Sequence, residues 1–240
     1  HVDTRDETIW LAKGRLLWNI ESETRETKPA VDVGEEIVSM EVGFQGTVFV
    51  DPLNPGETRT CTGGRDILVA KYDQNGAFVF AHTIGSGTHD EGYGIDVDAS
   101  GNVYVTGGYR GTCTIASQSL TSTSSSIIDI FVAKYNASGV GQWANGYGDN
   151  ISSDYGRGLA VDGNGDVYIT GYYAGTINFG ATTLTSDTAM YTSSTPSIDA
   201  FIAKFDGNGT NLWARSAGEG RDDYGIDIDT DGANNVYYTG

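Results

Sequence analysis

One stretch constrains this chain more than any other, because it recurs. Asp199–Trp213 reads DAFIAKFDGNGTNLW, Asp129–Trp143 reads DIFVAKYNASGVGQW, and Asp66–Phe80 reads DILVAKYDQNGAFVF. A shortened copy, Ile9–Trp18 (IWLAKGRLLW), lacks the middle turn. Stacked, the copies give a lysine column (Lys13, Lys71, Lys134, Lys204), a glycine column (Gly14, Gly76, Gly139, Gly209) and an aromatic column (Trp18, Phe80, Trp143, Trp213). Each full copy reads as two alternating strands around a polar turn that ends in glycine, the signal of a β-hairpin. Repetition at a long fixed period means that each unit buries its faces against its neighbours.

A second hairpin is interleaved with the first. Gly94–Gly107 reads GIDVDASGNVYVTG, Gly158–Gly171 reads GLAVDGNGDVYITG, and Gly225–Gly240 reads GIDIDTDGANNVYYTG, the last with two extra residues assigned to its turn. Ala30–Val42 is a worn copy whose second strand aligns in two frames one residue apart, which places a bulge or a deletion there. We label the strands of this hairpin A and B, and those of the first hairpin C and D. The chain then runs C-D, A-B-C-D three times, and A-B. Four-stranded sheets at lysine spacings of 58, 63 and 70 residues point to a β-propeller, in which radial repetition leaves only short edges. The expected fold is all-β: a four-bladed β-propeller with four antiparallel strands per blade, built as a single domain over residues 1–240. Its closing blade would join the N-terminal C-D hairpin (His1–Asn19) to the C-terminal A-B hairpin.

The succession GIxVDxxGNVYVTG, GTxxFG, DxFVAKYDxxGxxxW resembles the bacterial β-propeller repeat called the SBBP repeat, from Ile9 to Gly240. The resemblance implies a blade of a secreted or cell-surface protein, often within a larger multidomain chain. It implies no catalytic residue that could be carried over. A degenerate first copy and a count of four depart from the family. They leave open a complete ring or a piece of a longer one, as do the abrupt start at His1 and the end on a B strand.

With 34 Gly and 4 Pro, the turns rely on glycine's access to positive φ. No apolar run approaches the ~20 residues of a membrane-spanning helix. The net charge of −18 argues against nucleic acid, whose binding depends on Lys and Arg neutralising phosphates. It permits multivalent cations or basic partners.

Four aspartates, Asp32, Asp98, Asp162 and Asp229, end the A strands. Such a carboxylate ring either holds a cation at a channel mouth or accepts amides of its own turns, and recurrence with the turn favours the second. Asp227, Asp229 and Asp231 spell D-x-D-x-D-G, the first half of a calcium loop, but the twelfth position is Tyr238 rather than glutamate. No cofactor is expected, with calcium as the alternative that this run allows. Cys61 and Cys113 sit in successive B-C connections, where they either bridge or, for Cys113, pack as a small apolar residue. The acidic D-A loops read as amide caps on a face where a ligand could sit. The three N-glycosylation sequons, at Asn136, Asn150 and Asn208, fall largely in turns that need Asn for their own geometry.

No HExxH, GxSxG or P-loop occurs, and His82 reads as a packed side chain. The residues therefore predict a non-enzymatic structural module that assembles into a homo-oligomer or polymer, such as a surface layer, tube or filament. The alternative is a recognition propeller for a glycan, a protein or calcium.

Overall fold

A computed structural model of the chain describes residues 59–61, 64–187 and 196–240, together with the backbone of the strands within 10–12, 15–17, 31–32, 36–44, 47–49 and 58–60. All the described regular structure is β. Strands β1 (Trp10–Ala12) and β2 (Arg15–Leu17) form a hairpin. The first full unit holds β3 (Val31–Asp32), β4 (Glu36–Phe44), the side hairpin β5 (Thr47–Phe49) and β6 (Thr58–Thr60), then β7 (Asp66–Asp73) and β8 (Phe78–Ile84). The second holds β9 (Glu91–Val97), β10 (Val103–Tyr109), β11 (Thr112–Ile115), β12 (Gln118–Thr121), β13 (Asp129–Tyr135) and β14 (Gly141–Tyr147). The third holds β15 (Tyr155–Val161), β16 (Val167–Ala174), β17 (Thr176–Asn178), β18 (Thr183–Thr185), β19 (Ile198–Phe205) and β20 (Asn211–Ala217). The hairpin β21 (Asp227–Thr230) and β22 (Val236–Thr239) follows.

Each unit is one antiparallel four-stranded sheet in the order A-B-C-D: β3-β4-β7-β8, β9-β10-β13-β14 and β15-β16-β19-β20. The B-C connections carry two-stranded side hairpins, so the Ser/Thr-rich stretches are partly β. The A strands of successive sheets lie side by side. Asp96 on β9 accepts the Val161 amide of β15 at 2.7 Å, and Thr230 on β21 donates to the Val161 carbonyl at 3.3 Å.

The sheets stack because the C strands are apolar on both faces. On β13, Phe131, Ala133 and Tyr135 pack with Ile67, Val69 and Phe80 of the first sheet. Ile130 and Val132 on the opposite face pack with Leu159, Val167 and Ile169 of the third. Each such fully buried large side chain contributes about 1.5–3 kcal/mol.

Six of the A-B and C-D turns follow one plan. Asp73, Asp98, Asn136, Asp162, Asp206 and Asp231 each accept two amides of their own turn through Oδ1. The fourth residue adopts positive φ, as at Gly101 (75°) and Gly209 (83°). In the last turn Asn234 takes that place at 63°, since asparagine is the side chain best suited to the left-handed region.

The structure bears on three expectations. First, β1-β2 and β21-β22 are separate two-stranded sheets, with no pairing between them among the described residues. Among the described residues no closing blade joins the two termini. A physical reason lies in the turn. Ala12 pairs with Arg15, leaving two residues between strands, whereas Tyr72 pairs with Phe78 and leaves five.

Second, the last A strand is shifted by two residues. Thr230 pairs with Val236 as Val97 pairs with Val103, so Asp231, not Asp229, stands where Asp98 and Asp162 stand. The turn has no extra residues. Asp32 pairs with Ile37, in the register of Val97, one residue ahead of the turn position.

Third, no disulfide joins Cys61 to Cys113. Cys61 packs on the Leu68, Ala70 and Tyr72 face of β7, and Cys113 on the Ile67 and Val69 face. The strand stands between them. Burial pushes the Cys113 thiol up to about 12, so it is a small apolar residue and not a nucleophile. The frame ambiguity in the worn copy is a bulge: the β4-β7 register shifts between Glu41 and Phe44.

Candidate functional site

The turn aspartates are occupied by their own turns. Asp98 Oδ1 accepts the Ser100 and Asn102 amides, and its Oδ2 accepts the Asn102 side chain at 2.7 Å and the Tyr104 hydroxyl at 3.1 Å. Asp231 makes the same four contacts with Ala233, Asn235 and Tyr237. Burial alone would raise the Asp98 pKa, but these donors outweigh it and hold the carboxyl below its usual range. For Asp231 the Asn235 side chain leads, and its pKa falls to about 2.

The D-x-D-x-D-G run forms a strand and a turn rather than a loop. Asp227 and Asp229 face Thr239 and Tyr237 across the hairpin, and only Asp231 reaches the turn. Among the described residues no three His, Cys, Asp or Glu gather where they could hold a metal ion.

The lysine and aromatic columns clamp one sheet to the turns of the next. Lys71, fully buried, donates to the carbonyls of Gly101 at 3.2 Å and Ala137 at 3.1 Å. Lys134 donates to the Gly207 carbonyl at 3.1 Å while lying over the Tyr104 ring at 4.8 Å. Trp143 Nε1 shares the Gly207 carbonyl, and the Asn145 amide reaches the Gly209 carbonyl at 2.9 Å. His82, one boundary earlier, donates from Nε2 to the Gly139 carbonyl at 2.6 Å and stacks on Tyr135. Desolvation lowers its pKa and favours the neutral ring.

Buried carboxylates of the D-A loops hold the opposite end of each boundary. Asp90 accepts the Ser86 amide and hydroxyl and the Arg110 amide. Asp154 accepts the amides of Asp149 and Ala174. Burial dominates both, raising Asp90 and carrying Asp154 up to about 8. Asp129, which starts β13 and bonds Thr123, is likewise pushed up by burial to about 6.

One cluster is not consumed by turns. Where the A strands begin, the Arg157 guanidinium lies 4.0 Å over the Tyr93 ring of the preceding sheet and donates to the Tyr172 hydroxyl at 3.1 Å. Tyr155 packs against Tyr93 and Tyr172, and Tyr224 meets Tyr172 edge-on at 4.8 Å. Tyr93 donates to Glu91, which pairs with Arg65 at 2.9 Å. Burial works against the Arg157 charge, yet the Tyr172 hydroxyl and the charges around it carry its pKa above the usual value. Tyr224 and Ile226 continue this rim, 40% and 52% exposed. In the sequence, the shared D-x-G-x pattern of Asp90, Asp154 and Asp223 marks these positions, but the variable residues Tyr93, Arg157 and Ile226 conceal that they adjoin.

Three stacked four-stranded antiparallel sheets with A strands side by side define an all-β protein of propeller type. Residues 80–107 and 142–172 match the SBBP family model, described as a beta-propeller repeat, so the chain carries β-propeller repeats in these two segments. It is 30% identical over 186 residues, 72% of its length, to an uncharacterized WD repeat-containing protein of Acanthamoeba polyphaga mimivirus. It is 31% identical over 111 residues, 45% of its length, to regulatory protein FlaEY of Caulobacter vibrioides. The matched parts are 13% and 12% of those relatives, so the chain spans about an eighth of their length.

Proposed function

We propose that the chain is a non-enzymatic, extracellular recognition module that binds a carbohydrate chain along the rim of Tyr93, Tyr155, Arg157, Tyr172 and Tyr224. The observation that carries this reading is the stack of Arg157 on Tyr93 across a blade boundary, continued by half-exposed Tyr224. Tyrosine faces offer flat apolar surface to a pyranose ring, while their hydroxyls, Arg157 and Glu91 offer hydrogen bonds to its substituents. Intrinsic fluorescence, titrated with hexasaccharides of glucose, of N-acetylglucosamine and of galacturonate, tests it. At least one series is expected to saturate, and Tyr224→Ala to weaken it about tenfold. No saturation with any of them, against binding of a protein ligand that Tyr224→Ala abolishes, would replace the glycan with a protein.

A second reading is a structural module that assembles with further copies, in a four-bladed form completed from outside β21-β22. It is favoured by the repeat itself, whose sheets bury both faces of their C strands against neighbouring sheets. Light scattering across concentrations tests it, and a monomer throughout would end it.

A further inference from the structure

We infer that the rim takes an anionic carbohydrate, and that Arg157 and Arg110 hold the oxyanion substituent of the sugar lying against the tyrosines. The inference rests on the carbohydrate reading above and names its substrate class.

The repeats share a frame and differ where this site stands. Asp90 and Asp154 recur, as do Gly92 and Gly156, and Thr106 and Thr170. Between these fixed points the residues change: Tyr93 answers to Arg157, Gly108 to Tyr172, and Arg110 to Ala174. The preceding loop aspartate accepts the Arg110 amide at 2.9 Å and the Ala174 amide at 3.2 Å. The fold uses the backbone at this position, so an alanine serves it as well as an arginine.

The two arginines meet at Tyr155. A Cβ on Gly108 would lie 3.2 Å from Tyr155 Cδ1, so the Tyr155 ring packs on the end of β10, and Arg110 follows two residues later. Burial pushes the Tyr155 hydroxyl up to about 12, and the charges of Arg157 and Arg110 pull against it. The Arg157 guanidinium lies 4.0 Å from the centre of the Tyr93 ring and 5.4 Å from those of Tyr155 and Tyr172.

Arg110 points to the ligand. Its Nε is buried and has no hydrogen-bond partner among the described residues, while the residue as a whole is only half-buried. A guanidinium is always charged and can only donate. A donor shut away from water without an acceptor is costly to keep. An oxyanion beside Tyr155 supplies that acceptor, and the planar fork of arginine suits the paired oxygens of a carboxylate or a sulfate ester.

The neighbouring acids do not cancel this charge. Glu91 is spent on Arg65, at 2.9 Å, and on the Tyr93 hydroxyl. Asp90 bonds Ser86 and the Arg110 amide, and burial raises its pKa. Burial carries Asp154 up to about 8, so it is uncharged at neutral pH. A chain of net charge −18 thus keeps one cationic site between aromatic faces. A uronic acid chain offers both matching parts, apolar ring faces for the tyrosines and carboxylates for the arginines.

Calorimetric titration of the intact chain with hexagalacturonate, with its full methyl ester and with a sulfated galactan hexasaccharide tests this. The acid is expected to bind at least about tenfold more tightly than the ester, which has the same rings and hydroxyls. Raising NaCl from about 50 mM to about 500 mM is expected to weaken the acid severalfold. Arg157→Gln and Arg110→Gln are each expected to weaken the acid about tenfold and the ester less than about twofold. Arg157→Lys, which keeps the charge but not the fork, is expected to fall between. Arg215→Gln removes the same charge away from the rim and is expected to leave the affinity within about twofold. Melting curves check that each variant folds, and Arg110→Gln, outside the tyrosine stack, keeps the test open if Arg157→Gln does not. Tighter binding of the sulfated oligosaccharide, lost in both glutamine variants, upholds the arginine site and makes a sulfate ester its oxyanion. Equal binding of acid and ester overturns the inference and leaves the carbohydrate reading standing. So does binding of the acid that neither glutamine variant weakens. No saturation by any charged or neutral hexasaccharide removes the carbohydrate reading and this inference with it.

Discussion

The boundary between the second and third sheets and the flank of the third sheet carry the same columns but use them differently. At the first, Lys134, Trp143 and Asn145 hold one turn by its carbonyls, and that turn's Gly209 is buried under the Trp143 ring. At the second, Lys204 pairs with the carboxylates of its own A-B turn. The lesson is that a column residue has no fixed energetic role. Its contribution is set by whether the following C-D turn is in place, so each sheet is stabilised by its successor.

Paired substitutions at the two regions sharpen this contrast. The largest effect is expected at Lys71, fully buried with two turn carbonyls as partners. Lys71→Ala removes two bonds to a charged donor and is expected to cost about 3 kcal/mol or more. Lys204→Ala removes a partly exposed ion pair, expected to cost about 1 kcal/mol. Urea denaturation of both variants checks the ratio, and equal costs would break the comparison.

Acidity comes next. Asp154 and Asp129 have folded pKa values raised to about 8 and about 6, so the native state binds protons that the unfolded chain releases. Their contribution is complete below the ordinary carboxylate range near pH ~4 and is lost as pH rises through about 6 and then 8. The melting temperature is expected to fall between pH 5 and pH 9, roughly in step with these groups. Asp154→Asn should flatten the upper part of the curve, because the amide stays neutral throughout. The Asp98 and Asp231 turns shift the opposite way and lose stability only in stronger acid. The smallest effect belongs to Asn234→Gly. Asn234 already adopts 63°, so glycine in its place is expected to change stability by less than about 0.5 kcal/mol.

Much of this was legible in the residues. The repeated columns located the strands of all three sheets, and the D-x-x-G pattern located their turns. The alternation of Leu68 and Ala70 against Ile67 and Val69 showed that strand C is covered on both sides. What misled was also periodic. The run Ile226–Asp231 alternates apolar and acidic residues, so sliding its frame by two leaves the pattern intact, and Asp229 took the place of Asp231. The Asp223-Tyr-Gly anchor, matching Asp154-Tyr-Gly, fixes the frame. The expectation of a closing sheet, which the described residues do not form, had a similar origin. The strand residues of Ile9–Trp18 match the repeat, but its missing middle turn is the part the neighbouring sheet grips. The rim of Tyr93, Arg157 and Tyr172 was invisible because its members lie on variable positions of two sheets.

The two glycines Gly209 and Gly76 test the role of the following turn most directly. Both adopt positive φ, 83° and 79°, so alanine strains each backbone by about 1 kcal/mol. At Gly209 the new Cβ would also lie 2.8 Å from the Trp143 ring, whereas at Gly76 nothing lies within 4 Å. Denaturant unfolding is expected to show Gly209→Ala costing at least about 1 kcal/mol more than Gly76→Ala. Equal costs would contradict the account, because they would mean that the preceding sheet does not grip the turn.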